Sequence, residues 1–129
     1  MTAYPEYELP LLRSIPFSDK EKLMIYRYLK LRHFKKKEKL LQQGDIESHF
    51  SFLHKGLTRQ YYIHNNREIN TQFAVKDDIV CSAFSYFSRT PSAYCIEAVE
   101  PTTLLSFEIN DMEFVLAQGP NFIQWGRLQ

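Results

Sequence analysis

From Leu31 to about Val75, short apolar stretches alternate with turn chemistry about every eight to twelve residues, the spacing of an all-β sandwich or barrel. Strands are expected at Leu31 to Phe34 and Lys39 to Gln42, on either side of the Lys35-Lys36-Lys37-Glu38 connection. Gly44-Asp45 then offers a turn in which positive φ is tolerated. In the next strand Phe50 and Phe52 point one way and His49 and Ser51 the other. Gly56 separates it from a strand at Leu57 to Ile63, and Asn65-Asn66 suits a hairpin turn, because Asn enters the left-handed region readily. The return strand, Glu68 to Val75, alternates Ile69, Thr71, Phe73 and Val75 against Glu68, Asn70, Gln72 and Ala74. An aromatic share of 15%, with ten Phe and eight Tyr, leans the same way.

Helices are expected at the ends. Ser18-Asp19-Lys20-Glu21 has the capping-box arrangement. The helix it opens runs to about Lys30, with Leu23, Tyr26 and Leu29 as the inward stripe. After Asp77-Asp78 and a brief strand at Ile79-Val80, Ser82 to Ser88 reads as a short helix, broken by Arg89-Thr90-Pro91-Ser92. Strands at Tyr94 to Val99 and Thr102 to Ile109 meet at Glu100-Pro101, where proline cannot donate to a ladder. Asn110 to Glu113 reads as a second cap, opening a helix that stops at Gly119-Pro120, and Asn121 starts another.

A chain of 129 residues is the size of one domain, and 44% hydrophobic with 24% charged residues fits a soluble globular one. Sixteen basic against fifteen acidic residues removes any whole-chain argument for a nucleic-acid or membrane partner. The densest charge run, Arg27 to Lys39, reads as a solvated helix end and hairpin. No apolar run approaches the roughly 18–20 residues a bilayer requires, and the opening MTAYPEYELP lacks a secretory plan; a cytoplasmic location is expected. Cys81 and Cys95 form no disulfide framework and match no zinc spacing, so buried thiols are expected. His49 and His54 face opposite sides of a strand, and His33 and His64 sit in separate segments, so no metal site is expected. The paired carboxylates of Asp77-Asp78 read as a solvated turn, no acid/base pair is identifiable, no nucleophile elbow, P-loop or GxGxxG occurs, and the chain does not read as an enzyme.

The order of elements is the most informative feature: KKKEKLLQQGD, then FSFLHKGLTRQYYIHNNREI, then KDDIVCSAFSYFSRTPSAYCIEAVEPTTLLSFEINDMEF. It resembles the cyclic-nucleotide-binding sensor domain of the Crp/Fnr transcription regulators. Gly44 lies where that family turns after its second strand, and Gly56 at the glycine of its next hairpin. The resemblance covers about Leu11 to Phe122, and implies one domain over residues 1–129: an antiparallel β-roll of jelly-roll type with flanking helices. Residues 121–129 would begin a dimerisation helix, and the DNA-reading domain of such regulators has no counterpart in this chain.

The resemblance also implies a site. In nucleotide-binding members a Gly-Glu-Leu run and a later Arg-Ser or Arg-Thr-Ala form a phosphate-binding cassette, whose Glu holds the ribose and whose Arg neutralises the phosphate. In register, the Gly falls on Cys81, the Glu on Ser82, the Leu on Ala83, the Arg on Ser92 and the next small residue on Ala93. Arg89, three residues earlier, is a candidate substitute cation, and Thr58 and Gln60 share a strand face that would line the roll. The implied function is effector sensing in a homodimeric regulator that reaches DNA through another domain. The effector would be a small molecule, anionic and held at the Ser82 helix start and the Ser92 loop, with no resident cofactor. Two alternatives stand beside it, an effector-independent dimerisation scaffold and a cupin-like metalloenzyme.

Overall fold

A computed structural model describes Leu9, residues 16–119 and Asn121. Its elements are α1 (Asp19–Tyr28), β1 (Lys30–Phe34), β2 (Lys39–Leu41), β3 (His49–Lys55), β4 (Thr58–His64) and β5 (Arg67–Ala74), then β6 (Ile79–Val80), α2 (Ala83–Ser88), β7 (Cys95–Ala98), β8 (Thr102–Glu108) and α3 (Ile109–Leu116). The strands form two four-stranded antiparallel sheets, ordered β1-β8-β3-β6 and β2-β7-β4-β5. This is the expected roll with helices packed on it.

The first sheet is buried on both faces. Phe50, Phe52, Leu105 and Phe107 pack outward against Ile25, Tyr26, Met112 and Val115 of α1 and α3. Leu53 and Leu104 point the other way, toward Leu41, Ala74 and Ile96 of the second sheet. Ser51, paired with Ser106, lies on that inner side by the two-residue period. It is buried, not solvated, and its Oγ lies 2.7 Å from Ser106 Oγ, so the two hydroxyls satisfy each other.

At α1 the capping box forms in full: the Glu21 N–H donates to Ser18 Oγ and the Ser18 N–H to Glu21 Oε1. The expected stripe is corrected in one place. Leu23 is 53% exposed and Ile25 is fully buried, because residues two apart on an α-helix lie about 200° apart. The helix also stops at Tyr28, with Leu29 extended and Lys30 already in β1. A second correction concerns Asn110, which caps nothing. The Ile109 N–H donates to the Ser48 carbonyl, so α3 starts directly from β8 with Glu108 as its N-cap and Asn110 inside it. The helix expected from Asn121 lies, beyond that residue, outside the described residues.

A tight turn and a bulge shape the second sheet. Asn65 and Asn66 take φ of 51° and 63°, the primed geometry that matches strand twist, and join β4 to β5. Their ladder carries a bulge between Gln60 and Tyr61, and Gln60 faces Gln72. Gln72 and Ala74 lie on the cavity side of β5, Ala74 buried and Gln72 exposed, and Phe73 and Val75 are exposed as well. Among the described residues no helix is long and apolar enough to cross a membrane.

Candidate functional site

A cavity of about 460 Å³ opens between α2 and the second sheet. Cys81 to Ser85 form one wall, Pro91, Ala93 and Tyr94 another, and Gln60 and Gln72 line it from β4 and β5. The two walls are parts of one loop and helix. Ser82 is the extended N-cap of α2, and the helix ends when Arg89 adopts left-handed backbone at φ 60°, its N–H donating to the Ser85 carbonyl. The chain then doubles back through Pro91, which forms a bridge with Ile46.

One turn grips both limbs of this loop. Gly44, at φ +97°, donates its N–H to the Ser92 carbonyl, and the Ser92 N–H donates to the Asp45 carbonyl, each at 2.8 Å. Two residues on, Glu47 Oε2 accepts the Ser82 N–H and Oε1 the His49 N–H, both at 3.2 Å. The Glu47 N–H donates to Ser85 Oγ, which donates in turn to the Thr90 carbonyl. Glu47 is buried, and burial pushes its carboxyl above the usual range, against the pull of those backbone N–H groups and of the Arg32 charge.

The limbs meet at a pair of serines. Ser82 Oγ and Ser92 Oγ are 2.7 Å apart, and the two residues are 4% and 3% exposed. Ser92 Oγ also donates to the Tyr94 carbonyl at 2.9 Å and accepts the Tyr94 N–H at 3.0 Å. The Ser92 proton is thereby committed, so the hydrogen between the two oxygens is the one Ser82 donates.

Four of the six expected cassette residues, Cys81, Ser82, Ala83 and Ala93, line the cavity, and Ser92 sits behind Ser82. Gln60 lines it too. Thr58 is buried one step deeper, beside a void of about 20 Å³ shared with Gln60, Gln72 and Cys81. Arg89 does not join the lining: its guanidinium pairs with Glu113 on α3. Arg59, on the other face of β4, pairs with Glu68 and Glu97 at 2.8 Å each and lies over the Tyr61 ring. Sequence reasoning missed three contributors: Gln72, Tyr94 and Glu47. Gln72 was traceable from the hairpin only by a count that allowed for the bulge.

The thiols show no sign of activation. Cys81 and Cys95 are both free, and burial, with Glu47 nearby, pushes Cys81 far above the ordinary thiol range. Burial likewise raises the Tyr86 phenol to about 12. Among the described residues no three His, Cys, Asp or Glu side chains converge as metal ligands do.

Comparisons with known proteins agree with this geometry. Residues 31–118 match the family model described as "Cyclic nucleotide-binding domain". The catabolite activator protein of Thermus thermophilus superposes with a TM-score of 0.77 at 18% identity, covering 92% of this chain and 55% of that one. The sensor domain of the transcriptional regulator DNR from Pseudomonas aeruginosa gives 0.73 at 19% identity, covering 92% and 76%. A regulatory subunit of a cAMP-independent protein kinase A from Trypanosoma cruzi, bound to guanosine, gives 0.69 at 12% identity, covering 91% and 46%. At these identities the likeness is one of fold. This chain spans about half the length of the first and third of those proteins. No curated protein matches it in sequence.

Proposed function

The chain belongs to the cyclic nucleotide-binding domain family, and from that premise we propose that it is the effector-sensing part of a Crp/Fnr-like transcription regulator, without catalytic activity of its own. A small molecule in the cavity between α2 and the second sheet would favour one position of the C-terminal helices. That position would set the geometry of a homodimer, which would act on DNA through a further domain. The energy available for the switch is the ligand's differential affinity for the two states.

One observation carries this reading. Cys81 to Ser85 and Pro91, Ala93 and Tyr94, from the two limbs of the cassette, together line a cavity within the size range of small-molecule sites. A domain serving only as a scaffold has no use for a space of that size lined by two glutamines. Membership of this family also displaces the cupin-like alternative.

Classical cyclic-nucleotide binding is not the form the sensing takes on this reading. Ser82 and Ser92 occupy the positions that the resemblance gives to the ribose-binding Glu and the phosphate-binding Arg. A charge-assisted guanidinium contact contributes about 1.5–3 kcal/mol, so its replacement by a hydroxyl costs roughly tenfold or more in affinity. Thermal-shift and calorimetric titration with cyclic AMP, cyclic GMP, nucleosides and organic-acid metabolites tests the proposal. A true effector at about 100 times its dissociation constant adds roughly 2.7 kcal/mol of stability. Silence across a broad panel favours the effector-independent scaffold instead.

A further inference from the structure

We propose that the cavity selects an uncharged ligand carrying hydrogen-bond donors, of about nucleoside size, over an anion; this rests on the effector reading above. The lining is the first reason. Gln60, Gln72, Ser82, Ser85 and Tyr94 are its hydrogen-bonding side chains among the described residues, and none is a carboxylate, lysine, arginine or histidine. Arginines on the flanking elements are engaged elsewhere, Arg89 with Glu113 and Arg59 with Glu68 and Glu97, while the charge of Arg32 acts on Glu47.

The second reason is that the hydroxyl protons of Ser82 and Ser92 are taken. Ser92 gives its hydroxyl proton to the Tyr94 carbonyl, and Ser82 gives its own to Ser92. What Ser82 turns to the cavity is therefore a lone pair. Its backbone N–H is bound by Glu47 Oε2, and Glu47 is buried directly behind the serine pair. The chain's own carboxyl group thus takes the Ser82 N–H at the start of α2, and an anion entering the cavity would have to compete with it for that donor. Two carboxamides and a serine lone pair suit the N–H and O–H groups of a neutral molecule: Gln60 gives an Nε2 proton to Thr71 Oγ1 at 3.4 Å and has Oε1 as an acceptor, and the Gln72 carboxamide both donates and accepts.

Pairs of a neutral molecule and its anionic counterpart provide the test: adenosine with cyclic AMP, guanosine with cyclic GMP, and nicotinamide with nicotinate, titrated calorimetrically at one ionic strength. Expected is binding of a neutral member at least tenfold tighter than its anionic partner. An anionic member binding as tightly as its neutral partner overturns the proposal while leaving the effector reading intact. Silence from every pair removes the effector reading, and the proposal falls with it. Ala93→Arg supplies a second arm, because Ala93 lines the cavity yet is exposed, so the substitution leaves the buried serines in place. In that variant the anionic member should gain at least tenfold on the neutral one. A folded Ala93→Arg protein with the preference unchanged would refute the electrostatic basis.

Discussion

Ser82 and Ser92, ten residues apart in the chain, meet hydroxyl to hydroxyl at 2.7 Å and close the loop that walls the cavity. Their roles are unequal. Ser92 also holds both polar groups of the Tyr94 backbone, whereas the Ser82 side chain makes this one bond.

That inequality gives the first prediction. Ser92→Ala strands a Tyr94 N–H and loses three bonds, and should cost about 1–3 kcal/mol in urea unfolding. Ser82→Ala should cost about 1 kcal/mol or less. Equal costs, or the reverse order, would contradict the donor assignment.

The register of the cassette is tested by adding back the family's charges. Ser82→Glu combined with Ser92→Arg should raise affinity for cyclic AMP about tenfold or more, read by calorimetry. A folded double variant with no gain would mean that these positions do not correspond to the family's Glu and Arg.

Two glycines with positive φ should respond differently to alanine. At Gly56, φ +113°, a Cβ would overlap Thr102 Oγ1 and come within 2.6 Å of the Pro101 carbonyl oxygen. At Gly44, φ +97°, nothing lies within 4 Å. Gly44→Ala should show backbone strain alone, about 1–2 kcal/mol, and Gly56→Ala should exceed it by about 1 kcal/mol or more through overpacking. Chemical denaturation of the two variants side by side decides it.

His49 should make stability depend on pH. Burial, then the charge of Arg32, lowers its pKa below the ordinary 6.5, with Lys30 acting the same way and Glu108 opposing. The unfolded chain then takes up a proton more readily than the folded one. Its contribution is complete above 6.5 and is lost as pH falls through the lowered folded value. Glu47, with a raised pKa, works oppositely: its contribution is present below 4.5 and is lost as pH rises through the raised folded value. Comparing wild type with His49→Asn isolates the imidazole. Between about pH 7.5 and about pH 5.5 the wild type should lose more stability than the variant; parallel curves would exclude His49.

Much of the architecture could be read from local chemistry. The Ser18–Glu21 capping box, the Asn65-Asn66 turn and the positive-φ turn at Gly44 all took the geometry expected of them. Each is decided by a few neighbouring residues whose backbone preferences and hydrogen bonds need no distant partner. Leu23 and Asn110 were misjudged for the opposite reason. What faces inward on α1 depends on where β3 and β8 present Phe50, Phe52, Leu105 and Phe107, and where α3 begins depends on the Ser48 carbonyl.

For the site, the division is sharper. The sequence alone determined that residues 81–83 and 92–93 belong to one helix-and-loop unit, because turn chemistry and element order are local properties of the chain. The tertiary structure decided what fills that unit. A bulged ladder sets Gln72 opposite Gln60, and Glu47, thirty-five residues before Ser82, supplies the carboxylate that binds its N–H. A bulge shifts register by a residue without a distinctive local signal, and a buried carboxylate is satisfied only by groups that folding brings to it; neither outcome exists until distant segments pack together.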